Sequence, residues 1–367
     1  MTLRMPLNTE WNPSEALTVG VEWELQILDR ESLTPKNLFE DILNDLPEDL
    51  KPYIHKEIYK SMLEIVTPPA ADEEEPIKAL YRIFDHLKVS ALRRGYHLVG
   101  LGTLFLESER PPEKNITPRY KRFIEEFGEL LDDFYIYGIH IHIGFPNPEW
   151  ALKAYNNLIY YAPILLALSA SSPFYRGRHT GIHSFRTVIF ERLPRAELPP
   201  RFETYRDYER HINELYGAGI IDTIKDVWYH IRLRPDFGTV EVRVFDSIFD
   251  VERIKVLIKL LRAISKFSNI YGYRELPHYL IKQNWWYAKR YSLDADFFAG
   301  TFNRKALKHV AFDLIFELDE LGILKRLGYN RGEFLNLLRK PSPARDIEAK
   351  AKAWKSLKKV VKMAALV

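Results

Sequence analysis

The stretch Val19-Gly20-Val21-Glu22-Trp23-Glu24-Leu25-Gln26-Ile27 alternates apolar odd positions with even positions that set Glu22 beside Glu24. Two further stretches repeat the pattern. In Gly138-Ile139-His140-Ile141-His142-Ile143-Gly144 the even positions carry two histidines between three isoleucines. In Thr239-Val240-Glu241-Val242-Arg243-Val244 the odd positions carry Glu241 and Arg243 over a row of valines. Alternate residues of a strand share a face and stand roughly 6.5 Å apart. Each stretch therefore presents a pair of functional groups above an aliphatic floor, and a sheet built from all three would have a polar face able to hold divalent cations.

Outward from these strands, Lys60–Thr67 reads as a further short strand carrying Glu64, stopped by Pro68 and Pro69. Residues 76–94 place Ile77, Leu80, Tyr81, Phe84, Leu87 and Leu92 near a 3.6 period, the mark of an amphipathic helix. A strand over 96–104 follows. Trp150 to Ala170 is apolar almost all round, which predicts a buried helix bent at Pro163, and 251–267 predicts another. Clean alternation separated by unequal helical insertions predicts an α+β fold: a mostly antiparallel sheet with helices packed on one face. No repeat or flexible linker divides the chain. The expectation is a single catalytic domain over 1–367, with a sheet-and-helix core at about 15–290 and a C-terminal helical part at about 291–367.

The 367 residues are 46% hydrophobic, enough to bury a real core. With 53 basic against 50 acidic residues the net charge is +3, which calls for neither nucleic acid nor a membrane surface. Lys350, Lys352, Lys355, Lys358, Lys359 and Lys362 read as a solvated helix face. No run approaches the roughly 18 apolar residues that span a bilayer, and Met1–Asn8 lacks a signal-peptide core. The expected location is the cytoplasm. The absence of cysteine excludes disulfides, thiolate nucleophiles and zinc–cysteine sites.

No phosphate-binding Gly-x-x-x-x-Gly-Lys loop, complete dinucleotide fingerprint or His-Glu-x-x-His helix is present, so the chemistry falls to the strand faces. Taken singly, Glu22, Glu24 and Glu64 could be surface acids. His140 or His142 could be a core histidine, and Glu241 with Arg243 a cross-strand ion pair worth little. Taken together, several carboxylates with one or two imidazoles and no thiolate suit Mg²⁺ or Mn²⁺. Magnesium held this way commonly completes its shell with nucleotide phosphates. Guanidinium groups then fork the phosphoryl oxygens, with Arg176, Arg178, Arg186, Arg243 and Arg290 available.

Seven segments in order carry a family resemblance: Gly20–Leu25, Ser61–Thr67, Gly138–Gly144, Leu168–Phe174 with Arg176-Gly177, Ser184-Phe185-Arg186, Gly238–Asp246 and Asn284–Tyr291. Across about residues 15–350 the chain resembles the type 2 glutamate–cysteine ligase family, especially its carboxylate–amine ligase branch. The resemblance implies a glutamine-synthetase-like fold, with a curved antiparallel sheet forming an active-site funnel. It implies ATP and Mg²⁺ (or Mn²⁺) on the concave face and helices on the outer one.

Carried over by motif, Glu22, Glu24, Glu64, His140 and Glu241 are the implied metal ligands. His142, Arg186, Arg243 and Arg290 are the implied nucleotide or phosphate contacts, and Arg186 and Arg243 are the implied catalytic groups. Which of His140 and His142 meets the metal stays open, with His140 favoured. The implied reaction is ATP-dependent amide formation, γ-glutamyl in type, through an acyl phosphate. The substrates would be an amino-acid carboxylate, glutamate by resemblance, and an unspecified amine. The alternatives are a metal-dependent hydrolase or phosphatase, or a non-catalytic binding member of the same fold. A homodimer is the working expectation for oligomeric state.

Overall fold

A computed structural model describes residues 5–108, 113–300 and 303–367. The strands run in chain order as β1 (Val19–Asp29), β2 (Ile54–Lys56), β3 (Met62–Val66), β4 (Tyr96–Val99), β5 (Gly138–Gly144), β6 (Phe174–Tyr175), β7 (Arg178–His179), β8 (Ile231–Arg234), β9 (Thr239–Asp246), β10 (Asp296–Gly300) and β11 (Asn303–Ala306). Seven of them form one sheet in the order β2-β3-β1-β5-β9-β8, with β4 also paired to β1. Every pairing in it is antiparallel.

Residues predicted to share a floor do so. Val21, Trp23, Leu25, Ile65, Ile139, Ile141, Ile143, Val240, Val242 and Val244 are buried in one apolar cluster. The Pro148–Ser169 helix packs on β8 and β9 and against the Val251–Tyr271 helix, while the Glu74–Arg94 helix lies against β1. Each of the first two starts at a side-chain cap. Asn147 Oδ1 accepts from the Trp150 amide at 2.9 Å with Pro148 at the first helical position, and Asp250 Oδ1 accepts from Arg253 at 3.0 Å. Trp23 anchors the floor, edge-on to Phe84 with its Nε1 donating to Ser247 Oγ at 2.9 Å. Truncating such a buried tryptophan to alanine costs about 3–5 kcal/mol. The result is the expected α+β architecture, with helices on the aliphatic face and the other face left for chemistry.

Two boundaries differ from expectation. The strand predicted over 96–104 ends at Val99, because β4 and β5 share one edge of β1. β4 pairs Gln26–Asp29 and β5 pairs Val19–Trp23, so further strand at 100–104 would have no edge to occupy. The part expected to be helical from about 291 opens instead with the β10–β11 hairpin. There the Asn284 side chain imitates a strand, donating to the Phe298 carbonyl at 3.0 Å and accepting its amide at 2.8 Å. Helices follow over Leu307–Glu320, Ile323–Arg326, Arg331–Arg339, Pro343–Trp354 and Leu357–Met363. Their buried Leu314, Leu318 and Leu337 belong to the same apolar cluster as the sheet floor. No described helix is long and apolar enough to cross a membrane.

Candidate active site

Register brings the polar positions into cross-strand rows. Glu24 faces Glu64, Glu22 faces His140, His142 faces Glu241, and Glu241 faces Arg232. All five predicted metal ligands thus lie on one face of one sheet, beside His142 and Arg243. Glu22 bridges the two histidines. Its Oε2 is 2.9 Å from His140 Nδ1 and its Oε1 is 3.0 Å from His142 Nε2. Glu24 accepts the Gly138 amide at 2.6 Å through Oε2, while its Oε1 lies 3.7 Å from His140 Nε2. Three ligand-capable groupings result among the described residues: Glu22–Glu64–His140, Glu22–His142–Glu241 and Glu24–Glu57–Glu64. Each histidine belongs to one of them.

The electrostatics fit a divalent cation. Burial, then the neighbouring Glu57, Glu22 and Glu24, pushes the Glu64 carboxyl well above its usual range. Such crowding is relieved by a cation. Burial and the adjacent Arg243 push His140 below the ordinary histidine value, so the ring is neutral. Its Nδ1 lies 2.9 Å from Glu22 Oε2 and 3.3 Å from Arg243 Nη1, and its buried Nε2 has no hydrogen-bond partner. A neutral imidazole with an orphaned nitrogen among carboxylates is a ready ligand. Burial would raise Glu22, but the hydrogen bonds from His140 and His142 hold it well below the carboxylate range.

Glu241 is fully buried and more heavily paired than expected. Arg232 forks it at 2.6 and 3.0 Å, Arg234 reaches it at 3.0 Å and Arg243 at 2.6 Å. These three guanidinium groups hold its carboxyl well below the usual range against the opposing effect of burial. Arg232 and Arg234 escaped the sequence reading, although Ile231-Arg232-Leu233-Arg234 carries the same two-residue alternation. Glu57 was missed too, and with less excuse for recovery, since it lies just beyond β2 where no alternation marks it.

A cavity of about 440 Å³ opens on this face, lined by Glu22, Glu24, Glu57, Glu64, His140, Arg186, Arg232, Arg234 and Arg243, with an apolar flank that includes Phe134, Phe190 and Trp228. Arg186 and Arg243 each bury an Nε without a partner, a donor surplus suited to an anion. Arg290 lies elsewhere. It lines a separate cavity of about 670 Å³ with Gly181, His183, Lys352 and Lys355, and no lining residue is common to the two. The expectation that it reaches the nucleotide in the sheet funnel is corrected accordingly. The Asn284–Tyr291 segment forms part of the His278–Tyr291 helix, whose Lys289 and Trp285 bond Glu191 instead. Arg176 pairs with Asp133 and Arg178 is exposed on β7, so neither serves the cavity.

An antiparallel sheet with carboxylates, imidazoles and arginines on one face and helices on the other is the architecture of glutamine-synthetase-like ligases. Among solved structures the chain is similar to a bifunctional glutathione synthetase from Pasteurella multocida, with TM-score 0.69 and 16% identity over 95% of this chain and 51% of that one. It therefore spans about half of that bifunctional protein. It is also similar to a glutamate–cysteine ligase from Francisella tularensis solved in complex with AMP, with TM-score 0.63 and 14% identity over 96% of this chain and 89% of that one. Both are likenesses of fold. Residues 18–314 match the model of glutamate-cysteine ligase family 2. Relatives provisionally named glutamate–cysteine ligase 2 share 35% identity in Thermobifida fusca, over 79% of this chain and 75% of the relative. In Chloroflexus aggregans the figure is 34%, over 87% and 85%. The chain belongs to glutamate-cysteine ligase family 2, and it is an enzyme of the ligase class.

Proposed function

We propose that this protein is an ATP-dependent carboxylate–amine ligase that works as a single catalytic domain and forms an amide bond through an acyl phosphate. The observation that carries the reading is the meeting of two carboxylate–imidazole groupings and one all-carboxylate grouping beside a cavity that is also lined by two buried arginines whose Nε atoms lack partners. Glu22, Glu24, Glu64, His140, His142 and Glu241 would hold Mg²⁺ or Mn²⁺, which supplies charge neutralisation for nucleotide phosphates. Arg186 and Arg243 offer fixed cationic donors where negative charge gathers on the transferring phosphoryl group. Glu241 aims Arg243 by accepting its Nη1 at 2.6 Å.

A free carboxylate is a poor acylating agent. The reading therefore has the donor carboxylate attack the terminal phosphorus of ATP, releasing ADP and forming the mixed anhydride. The amine then attacks the acyl carbon, the carbon–oxygen bond to phosphate breaks, and the amine loses its proton. The cavity brings both reactants to the arginines, which lowers the entropic barrier. Family membership supports a glutamate γ-carboxylate as donor. The amine is left as a class, because the apolar flank of the cavity carries no feature specific to a thiol. An ADP-release screen over carboxylate and amine pairs, with product masses measured, tests the proposal. ADP should appear only with both substrates and in proportion to amide. ATP consumption indifferent to amine would establish a hydrolase, and no ADP across the panel would refute the ligase reading.

A further inference from the structure

Arg186 is 2% exposed, yet among the described residues no carboxylate lies within ion-pair distance of it. Its Nη1 donates to the Arg243 carbonyl at 3.2 Å, its Nε has no partner, and its Cζ stands 5.7 Å from the Phe190 ring centre. An arginine so weakly held, at the end of four rotatable bonds, needs its backbone fixed for the guanidinium to stay in the cavity. Two residues on neighbouring strands supply the constraint, Gly138 of β5 and Asp246 of β9, which face each other in register. A Cβ built on Gly138 would collide with Nη2 of Arg186 and sit 2.7 Å from Cζ. Only glycine leaves the guanidinium its place there.

Asp246 acts from the other side. It is fully buried, and its two oxygens accept three donors: the Ser171 amide at 2.9 Å and Ser172 Oγ at 2.6 Å on Oδ2, and Ser184 Oγ at 2.8 Å on Oδ1. The chain segments at Ser172 and Ser184 form a parallel bridge, and both flank the approach to the Phe185–Phe190 helix. Ser172 Oγ, its hydrogen directed at Asp246, accepts from the Arg186 amide at 3.0 Å. Ser184 Oγ, its hydrogen directed the same way, pairs with Thr187 Oγ1 at 2.8 Å. The carboxylate thus orients two hydroxyls, one holding the Arg186 amide and the other the Thr187 side chain beside it. A fully buried carboxylate held without a direct ion pair is costly, which argues for a role beyond filling space. Burial pushes the Arg186 guanidinium down, and Glu24 and Asp246 are the carboxylates that counter it.

We propose that Asp246 is a positioning residue, which through Ser172 and Ser184 holds Arg186 in the cavity as a contact for a nucleotide phosphate. The assignment rests on the ATP-dependent reading above. It is tested by a double-mutant cycle on the full chain, with the β,γ-imido analogue of ATP and Mg²⁺ titrated calorimetrically. Wild type, Asp246→Asn and Ser172→Ala are each measured with and without Arg186→Met. Asp246→Asn and Ser172→Ala should weaken binding by about tenfold while Arg186 is present, and by less than about twofold once Arg186→Met has removed the group they position. Equal weakening in both backgrounds would show a general structural effect and overturn the assignment. So would an Arg186→Met protein that binds as wild type does. Absence of binding to the wild-type chain would instead refute the nucleotide reading beneath it. Ser172→Ala removes one hydroxyl and no charge, so the cycle survives if Asp246→Asn fails to fold.

Discussion

Replacing Glu241 with glutamine should damage the fold as well as the chemistry, and the structure says by how much. Glu241 is fully buried and accepts from Arg232, Arg234 and Arg243. Arg234 retains Asp236 at 2.8 and 3.0 Å, and Arg243 stays near Glu22 and Glu24. Among the described residues Arg232 keeps as a hydrogen-bond partner only the Val227 carbonyl at 2.9 Å, so it is the charge left stranded. Removing one partner of a buried pair in this way costs about 3–5 kcal/mol. With a urea m-value of roughly 3 kcal/mol/M, the unfolding midpoint should fall by about 1–1.7 M. Glu241→Gln/Arg232→Met, which removes the stranded charge with its partner, should recover a large part of the loss. Glu22→Gln should lower the midpoint less, because its hydrogen-bond partners are two imidazoles and no guanidinium is left stranded. A Glu241→Gln unfolding free energy within about 0.5 kcal/mol of wild type would refute the reasoning. A double variant no more stable than the single one would do the same.

Three further outcomes follow from the site. Turnover should require Mg²⁺ or Mn²⁺, and full activity in excess chelator would exclude the metal reading. Arg243→Lys should lower turnover on the order of 10²–10³, because lysine keeps the charge but loses the forked contact; steady-state ADP release measures it, and near-normal turnover would contradict the assigned role. Glu191 supplies a pH test: burial would raise its carboxyl, but His230 and Lys289 bring it down to about 2. A folded value below the unfolded one means stability that is full above the unfolded carboxylate range and is lost as pH falls towards 2. The difference in urea midpoint between wild type and Glu191→Gln should therefore shrink from pH 7 to pH 3, and a constant difference would count against the assignment.

The parts of the site legible in the sequence are those governed by the period of a strand. Glu22 and Glu24, His140 and His142, Glu241 and Arg243 each announce their shared face by alternation with aliphatic residues, and cross-strand register then assembles them. Arg232 and Arg234 obeyed the same rule and could have been read. Asp246 could not, because it shares the parity of the valine row of β9 and reads simply as the end of a strand. Arg290 failed for another reason: a position on a helix fixes a face, but not which of two cavities that face meets. The β10–β11 hairpin was hidden because Asn284, an ordinary helix residue by sequence, supplies the hydrogen bonds that hold Phe298.

The central claim is that the donor carboxylate is phosphorylated before the amine attacks. Oxygen-isotope transfer measures this directly. With ¹⁸O in both oxygens of the donor carboxylate, each turnover should deliver one labelled oxygen to inorganic phosphate and keep one in the amide. Unlabelled phosphate released alongside amide product would contradict the acyl-phosphate mechanism.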